Sequence, residues 1–304
     1  MTSGAIQRVD IGTTPFWGGQ SMTTTLRTVM VRQPAPTVGG DEWQSFGYTR
    51  SIRQDATVRE HRQFTQILRD AGVDVIEAGP DPTGHLDAIF SYDPSIMTNA
   101  GAVLLRPGKE LRRDEPRFHR ATYEELGIPV IGEILAPGTV EGGDTLWIDD
   151  HTLAIGRGYR TNLEGIRQIK TLLSEHSVDV IPFDLPYGNG PAECLHLMSM
   201  ISPVAEKTAV VYRSIMAVAF FELLRERGWS FIDIPHEEFD SMGCNVLSLG
   251  QNRVLIANRN TGTADLLRAA GFDVLEYEGD HISHNRQGGP TCLTRPILRR
   301  DDPI

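Results

Sequence analysis

The chain has 304 residues, of which 40% are hydrophobic and 23% are charged, and its formal net charge at pH 7 is −11. This composition is typical of a globular protein. The acidic balance argues against nucleic acid or an anionic membrane as the main partner, because phosphate contacts require clustered lysine and arginine. The three cysteines, an odd and sparse set, argue against a disulfide-stapled secreted protein and favour a reducing cytoplasm.

The start of the chain, MTSGAIQRVDIGTTPFWGGQ, lacks the basic residues and the following apolar stretch of a signal peptide. Residues 1–20 are therefore predicted to be a flexible N-terminal extension, with a lid as the alternative. Residues 21–304 show no linker and no shift in composition, which predicts a single domain. The chain has no run of about 18 apolar residues, so no membrane span is expected.

Five segments of the chain repeat one pattern, which is an amphipathic helix, a small pivot residue and a short apolar strand. In chain order they are REHRQFTQILRDAGVDVIEAG, PRFHRATYEELGIPVIGEIL, LEGIRQIKTLLSEHSVDVIPFDL, SIMAVAFFELLRERGWSFIDIP and TADLLRAAGFDVLEYEG. Their pivots are Gly72, Gly127, Ser177, Gly228 and Gly271. Most are glycine, the residue that most readily ends a helix in the left-handed conformation.

Further strand-like runs follow these segments, namely AVLLR, TLAIG, TAVVY and RVLIA, and RTVMVRQP near the chain start could complete the last unit. Within the predicted helices apolar residues recur three and four positions apart, as Phe64, Ile67 and Leu68 do, which indicates one buried stripe. Helices that alternate with mixed strands predict an α/β protein built from five repeated units.

One unusual polar residue lies at a comparable place after the strand of each unit. These residues are Asp93, Glu141, His196, Asn245 and Cys292. If the five units pack around a common axis, these connections meet at one end, and two carboxylates, a histidine and a cysteine share a pocket. That arrangement changes the interpretation of Cys292 from a buried core thiol, the commoner role of a free cysteine, to a nucleophile.

The chemistry of this set is that of a nucleophile, a base and an orienting carboxylate. The thiolate of Cys292 needs a nearby base or cation, and His196 is the best candidate, although a histidine beside leucines is more often a core residue. Glu141 would fix the tautomer of that histidine. The alternative interpretation of its segment, APGTVEGGDTLWIDD, is a glycine-rich turn with solvated acids.

Asp93 is an acid within an apolar run, LDAIFSYDPSIM, and such an acid needs a partner or a cationic ligand, which favours a cationic substrate. Arg112 and Arg160 could bind a carboxylate bidentately, although each alone would be a surface arginine. The runs GGDEWQ and RQGGP lack the spacing of a dinucleotide or phosphate loop, and HISH lacks further ligands at zinc spacing. No metal and no cofactor are therefore expected.

The ordered set EGGD, HL, GCNVL and GGPTC resembles the guanidine-modifying enzymes and is most similar to the dimethylarginine dimethylaminohydrolases. The similarity runs from about Arg27 to Leu298, and the full set is much more specific than any one piece. It implies the pentein fold, a five-bladed α/β propeller with pseudo-fivefold repeats, and a small guanidino compound as substrate. A homodimer is an expectation from the family alone.

The resemblance also implies a role for each residue of the set. Cys292 is similar to the family's nucleophile, His196 to its acid/base and Glu141 to its orienting carboxylate. Asp93 is similar to the acid that holds the guanidinium nitrogens.

Further positions bear on how the substrate is bound. Asp87 matches a position that contacts the α-amino end of the substrate, and Arg112 and Arg160 match the arginines that hold its carboxylate. Tyr92 stands where methylarginine hydrolases have an acid, and Met198 stands where arginine deiminases and amidinotransferases have an aspartate. Fewer carboxylates then face the guanidinium, which favours a substituted guanidine or a substrate less strongly cationic than arginine.

The resulting hypothesis is a cytoplasmic, metal-free hydrolase that acts on the guanidino carbon of arginine or of an N-substituted arginine. It would pass through a covalent thiouronium on Cys292 and release citrulline, or an analogue, together with an amine or ammonia. Three alternatives stay open: an amidinotransferase, an arginine dihydrolase that releases ornithine, and a non-catalytic binding protein of the same fold.

Overall fold

The computed structural model describes residues 15–36, 42–191 and 193–301. Its helices are α1 (Glu42–Phe46), α2 (Gln54–Asp70), α3 (Glu115–Leu126), α4 (Leu163–Ser174), α5 (Val218–Glu226) and α6 (Thr261–Ala269). Its strands are β1 (Leu26–Arg32), β2 (Asp74–Ala78), β3 (Ser95–Thr98), β4 (Gly101–Leu104), β5 (Val130–Glu133), β6 (Thr145–Asp149), β7 (Thr152–Arg157), β8 (Asp179–Asp184), β9 (Ile201–Ala205), β10 (Thr208–Val211), β11 (Ser230–Asp233), β12 (Leu247–Gly250), β13 (Arg253–Ala257), β14 (Asp273–Tyr277) and β15 (Arg295–Arg299).

The predicted pivots all have left-handed backbone. The φ angles are 83° at Gly72, 73° at Gly127, 58° at Ser177, 79° at Gly228 and 91° at Gly271. This conformation ends the helix and turns the chain towards the strand, and it costs least where there is no Cβ. The same local solution therefore recurs in each unit.

Within the described ranges, five three-stranded sheets share one internal order. The first two strands pair antiparallel, and the third lies parallel to the second after a helix crosses over, as β4, α3 and β5 show. The four sheets made of consecutive strands are β3-β4-β5, β6-β7-β8, β9-β10-β11 and β12-β13-β14. The prediction of an α/β protein with five propeller-like units is confirmed.

The fifth sheet joins the two ends of the described chain. Its middle strand is β1, which lies antiparallel to β15 and parallel to β2. The prediction that RTVMVRQP could complete the last unit is confirmed, because β1 pairs with the strand that follows Cys292. Since α2 then crosses from β1 to β2, the same strand also joins the last unit to the first.

Helix α2 shows how the helices cover the sheets. Phe64 and Leu68 are fully buried in one cluster with Val29 and Val31 of β1, and Ile67 packs against the same cluster while partly buried. Burying a side chain of this size contributes about 1.5–3 kcal/mol. The predicted apolar stripe is thus the face that fixes the helix to its sheet.

The predicted N-terminal extension lies mostly outside the described residues, which begin at Pro15. The N–H of Gly18 donates to the carbonyl of Ile297 at 2.9 Å, and the N–H of Gly19 donates to Asn99 Oδ1 at 2.9 Å. The domain boundary at residue 21 stays a prediction. Across the described ranges, no helix combines the length and the apolar character that crossing a bilayer requires.

Candidate active site

The five polar residues singled out by the repeat lie shortly before the first strand of five different sheets. Four of them, Asp93, His196, Asn245 and Cys292, line a single pocket. Glu141 is fully buried behind His196. The expectation that these connections meet at one end of the propeller is thus met by the geometry.

His196 and Glu141 form a buried ion pair. Nε2 of His196 lies 2.7 Å from Oε2 of Glu141. The other oxygen, Oε1, accepts from the backbone N–H of Lys109 at 3.0 Å and from Nη1 of Arg160 at 3.5 Å. With both oxygens engaged, the carboxylate has one orientation and holds the imidazole at a fixed angle.

The pKa values of this pair favour its charged form. Burial works against the imidazolium, but the charges of Cys194, Asp144 and Asp93 outweigh it and raise the pKa of His196 well above its ordinary value. Burial likewise disfavours the carboxylate, but the hydrogen bond and charge of His196 lower the pKa of Glu141. At neutral pH His196 therefore carries a proton that it can donate.

Cys292 lines the same pocket and is half-buried. Nδ2 of Asn245 donates to its Sγ at 3.2 Å. Burial raises the pKa of the thiol to about 11, and the charge of Asp93 adds to the rise. Cys292 and His196 belong to different units and both line the pocket. In the described part of the chain they make no direct hydrogen bond.

Sequence reasoning missed Cys194, which lies two residues before His196. Its Sγ is 3.8 Å from Nδ1 and 3.9 Å from Nε2 of the imidazole. Burial raises the pKa of this thiol, but the charge and hydrogen bond of His196 outweigh it and leave the pKa below its ordinary value. The ECLH spacing was the available signal, because residues two apart in an extended segment share one face.

Glu141, Cys194 and His196 also offer ligand atoms that lie within 4.8 Å of one another. Such a set resembles the nitrogen, sulfur and oxygen ligands that zinc accepts. No metal was expected from the sequence. Because these three atoms are close enough to share one ion, the expectation that the protein binds no metal is tested by experiment below.

Gly142 and Gly143 allow the close packing on which the histidine's position depends. A Cβ on Gly142 would lie 2.2 Å from the carbonyl oxygen of Tyr92, and one on Gly143 would lie 2.3 Å from Nδ1 of His196. Asp144 then accepts from the N–H of Leu197 at 3.1 Å. The EGGD motif thus clamps the loop of the neighbouring unit rather than forming a solvated turn.

The glycines of GGPTC have the same purpose around the cysteine. A Cβ on Gly288 would lie 2.3 Å from Cε1 of Phe90, and one on Gly289 would lie 2.4 Å from Cγ of Asn245. The loop that carries Cys292 is therefore pressed against its neighbours. Asn245, which the repeat located without assigning it a role, fixes this loop by accepting from the N–H of Thr291 at 3.1 Å.

Asp93 is held by groups from two sides. Its Oδ1 accepts from the N–H of Gly143 at 2.9 Å, and its Oδ2 accepts from Nη1 of Arg112. Arg112 also donates from Nε and Nη2 to Glu115 and from Nη2 to the carbonyl of Phe90 at 2.9 Å. Arg112 is almost fully buried, so the structure places it behind Asp93 with most of its donors engaged.

Glu115 was not found from the sequence, although its spacing of three from Arg112 is a helical ion-pair spacing. Its carboxylate is 2% exposed and accepts both hydrogen bonds of the guanidinium fork. Burial raises its pKa to about 7, and the charge of Arg112 works against that rise. The sequence-predicted role of Arg112 towards a substrate carboxylate stays a prediction.

Asp87 also lies on the pocket wall and is 1% exposed. Its carboxylate accepts from Nζ of Lys109 at 2.5 Å and from Nε of Arg286 at 3.1 Å. Neither cation was identified from the sequence. Lys109 is 22 residues from Asp87 along the chain, and Arg286 is 199 residues from it. The acid assigned by resemblance to the substrate's α-amino end thus carries two protein cations.

Arg160 and Tyr92 complete the predicted set. Arg160 lines the pocket, and its hydrogen bonds to Glu141 and to the carbonyl of Glu193 are long, at 3.5 and 3.4 Å. The Tyr92 hydroxyl lies 3.7 Å from Sδ of Met22, and the Arg295 guanidinium lies 3.9 Å from the centre of the Tyr92 ring. The Tyr92 side chain therefore belongs mainly to the apolar cluster that also holds Met198.

The chain as a whole is similar to a family of guanidine-modifying enzymes. The profile of the family described as N,N dimethylarginine dimethylhydrolase, eukaryotic, matches residues 36–299. An uncharacterized protein of Aeropyrum pernix is 30% identical over 255 residues, which make up 83% of this chain and 88% of that protein. The N(G),N(G)-dimethylarginine dimethylaminohydrolase of Pseudomonas aeruginosa is 28% identical over 241 residues, 78% of this chain and 87% of that enzyme.

A solved structure of the Pseudomonas aeruginosa dimethylarginine dimethylaminohydrolase, a mutant in complex with citrulline, has a TM-score of 0.73 with this chain. The match covers 89% of this chain and 98% of the other, at 23% sequence identity. At that level of identity the likeness concerns the fold, and it agrees with the five sheets described above.

Proposed function

Because the chain belongs to the N,N-dimethylarginine dimethylhydrolase family, we propose that it hydrolyses a C–N bond of the guanidino group of arginine or of an N-substituted arginine. The coarser statement, that it is a hydrolase of guanidino C–N bonds, follows from the family itself. The observation that carries the finer proposal is the convergence of Asp93, His196 and Cys292 on one pocket, with Glu141 paired to the histidine.

In the proposed first step, the guanidinium lies between Asp93 and Cys292. The carboxylate accepts hydrogen bonds from its N–H groups and orients the planar cation. Placing a cation next to the thiol lowers the pKa of Cys292 from its raised value, so the thiol releases its proton to water and the thiolate forms when substrate is bound. Its sulfur then attacks the guanidino carbon.

In the proposed second step, the carbon–nitrogen bond to the leaving amine breaks. His196 donates its proton to that nitrogen, and an S-alkylthiouronium remains on Cys292. His196, now neutral, takes a proton from water, and the hydroxide adds to the same carbon. The C–S bond then breaks, the new hydroxyl group on that carbon loses its proton to give citrulline or an analogue, and this proton restores the thiol. Proton transfer of this kind is typically worth about 10²–10⁴-fold in rate.

The test is turnover of arginine, monomethylated and dimethylated arginines, with ammonia, methylamines, urea and amino-acid products measured separately. The Cys292→Ser variant is expected to lose turnover by at least 10³-fold while keeping its melting temperature. Cys244→Ser is the matched control, because Cys244 is a buried thiol outside the pocket. Turnover by Cys292→Ser comparable with that of the control contradicts the proposal.

The same assay separates the alternatives. Product that appears only when an acceptor amine is added indicates an amidinotransferase, and release of ornithine with two equivalents of ammonia indicates a dihydrolase. Mass spectrometry of rapidly quenched enzyme locates the covalent adduct, since Cys292 and Cys194 fall in different tryptic peptides. An adduct on Cys194 would show that Cys194, and not Cys292, is the nucleophile, and would contradict the proposal.

A further inference from the structure

The carboxylate of Asp87 is already shared by two protein cations. Nζ of Lys109 donates to Oδ2 at 2.5 Å, while Arg286 donates from Nε to Oδ1 at 3.1 Å and from Nη2 to Oδ2 at 3.4 Å. Lys109 also donates to the carbonyl of Phe46 at 2.7 Å. All three charged side chains are at least mostly buried, so solvent screens their charges weakly.

This cluster has one negative and two positive charges. An ammonium group brought to Asp87 would be the third cation around a single buried carboxylate, and it would have to displace one of the existing hydrogen bonds. A carboxylate brought to the same place meets a net positive charge. The charge of the cluster therefore favours an anionic group and disfavours an α-ammonium.

Arg286 has a donor to offer such an anion. Its guanidinium lines the pocket, and among the residues that the structure describes its Nη1 has no hydrogen-bond acceptor. Arg160 lines the same pocket, and its two hydrogen bonds to the protein are both long, at 3.5 and 3.4 Å. Two guanidinium groups thus face the pocket with binding capacity left for an oxyanion.

The other carboxylates of the pocket wall do not replace Asp87 as a site for an ammonium. Asp93 is engaged by Arg112 and by the backbone of Gly143. The carboxylate of Glu193 accepts from the N–H and the side chain of Asn189 at 2.6 and 2.9 Å. Asp240 also lines the pocket but is exposed, so water and salt weaken its attraction for a cation.

We propose that the pocket binds only an anionic group at the end of the substrate opposite the guanidine. The preferred substrates are then ω-guanidino carboxylates without an α-ammonium group. Arg286, with Arg160, holds the carboxylate, and the Asp87 cluster repels the ammonium of an α-amino acid. This proposal rests on the proposed function for the chemistry at Cys292. It differs in the compound that the enzyme selects.

The test compares substrates that differ in one group. Arginine and 5-guanidinopentanoate have the same carbon chain and carboxylate, and only arginine has the α-ammonium. The value of kcat/KM is measured for this pair, for the pair one carbon shorter, norarginine and 4-guanidinobutanoate, and for each compound with a free and an Nω,Nω-dimethylated guanidine. The proposal expects kcat/KM at least tenfold higher for the compound without the ammonium in the best-turned-over pair. Any smaller ratio overturns it.

The Arg286→Gln variant tests whether the Asp87 cluster causes the preference for compounds without the ammonium. Loss of one cation leaves Asp87 able to accept an ammonium, so the ratio of kcat/KM is expected to fall at least tenfold. Arg268→Gln is the matched control, because Arg268 bonds to Asp265 and Glu276 outside the pocket, and it is expected to keep the ratio. A ratio is independent of how much of each variant is folded. An unchanged ratio in Arg286→Gln overturns the role of Arg286.

Binding to Cys292→Ser separates this inference from the proposed function. Calorimetric titration with 5-guanidinopentanoate and with arginine measures selection without chemistry. Tighter binding of the compound without the ammonium, with no turnover by the native enzyme, supports the inference and contradicts the proposed function. Efficient turnover of arginine by the native enzyme, together with equal or tighter binding of arginine, supports the proposed function and contradicts the inference. Failure of both compounds to bind overturns the inference as well.

Discussion

Nε2 of His196 and Oε2 of Glu141 are 2.7 Å apart, and the two residues come from different propeller units. The carboxylate's second oxygen accepts from the N–H of Lys109, so neither oxygen can turn towards the pocket. The imidazole therefore stays protonated although it is buried, because negative charges surround it. This pair adds to the effect of Cys194, Asp144 and Asp93 on the pH range over which His196 can act as an acid.

Glu141→Gln removes that charge while keeping the size of the side chain. The pKa of His196 is raised in the native protein, and loss of a charge-assisted partner lowers it. The imidazolium is then lost at lower pH, so the alkaline limb of the kcat profile is expected to move to lower pH. We also expect kcat to fall by about 10²–10⁴-fold. The measurement is the pH dependence of kcat, with the exposed Glu133→Gln as control. An unmoved alkaline limb would show that Glu141 does not set the pKa of His196.

The two half-buried cysteines are expected to react differently with iodoacetamide in the absence of substrate. Burial raises the pKa of Cys292 to about 11, whereas His196 outweighs burial and lowers that of Cys194. At neutral pH the thiolate fraction is therefore larger on Cys194, which should be alkylated first. The rate at Cys292 is expected to rise about tenfold for each pH unit below 11. Peptide mass spectrometry at several pH values measures both rates, and faster labelling of Cys292 at pH 7 would contradict the assignment.

Arg112→Lys tests whether Arg112 supports Asp93 or binds the carboxylate of the substrate. Lysine keeps the charge but loses the planar fork that bonds to Glu115 and Asp93 together. If Arg112 supports Asp93, kcat/KM is expected to fall at least tenfold for agmatine, which has no carboxylate, as well as for carboxylate-bearing guanidines. A loss confined to the carboxylate-bearing compounds would instead indicate direct contact. Arg113→Lys, at an exposed neighbouring position, is the matched control.

Gly143→Ala tests the contact between the EGGD motif and the imidazole. A Cβ would lie 2.3 Å from Nδ1 of His196, which forces the ring to move. A displacement of about 1 Å at a catalytic group can cost on the order of 10²-fold in rate. Turnover is therefore expected to fall by about that factor, with a much smaller change in melting temperature than in rate. Gly79→Ala is the control, because nothing lies within 4 Å of a Cβ there, and both variants are assayed together.

Chelation tests whether a metal takes part. Because Glu141, Cys194 and His196 are close enough to share an ion, metal carried through purification would compete with the proposed proton transfer. The proposed chemistry uses only protein groups, so EDTA is expected to leave kcat/KM unchanged or to raise it. A loss of activity that added Zn²⁺ restores would contradict the proposal.

The location of the proposed catalytic groups could be predicted because it depends on a local pattern. A left-handed pivot such as Gly72 or Gly127 is encoded by a single residue type, and the helix and strand around it follow from apolar periodicity. Repetition of that pattern placed His196 and Cys292 in equivalent connections, and equivalent connections of a propeller meet at one end.

The partners of these groups could not be predicted, because they depend on contacts between distant parts of the chain. Nothing near Asp87 in the sequence indicates that Arg286 will reach it. The pairing of Arg112 with both Asp93 and Glu115 likewise depends on where α3 begins relative to the pocket. The charges that surround the pocket are thus a property of the folded chain and were not visible in the motifs.

The strand that follows Cys292, β15, pairs with β1, the first strand of the described chain. The two strands are therefore synthesised far apart in time, and Cys292, the proposed nucleophile, is made after Asp93, Glu141 and His196. The four sheets made of consecutive strands can form before Cys292 reaches the pocket that Cys194 and His196 line. Under the proposed function, chemistry in the pocket therefore begins only once β15 has paired with β1 and brought Cys292 into place.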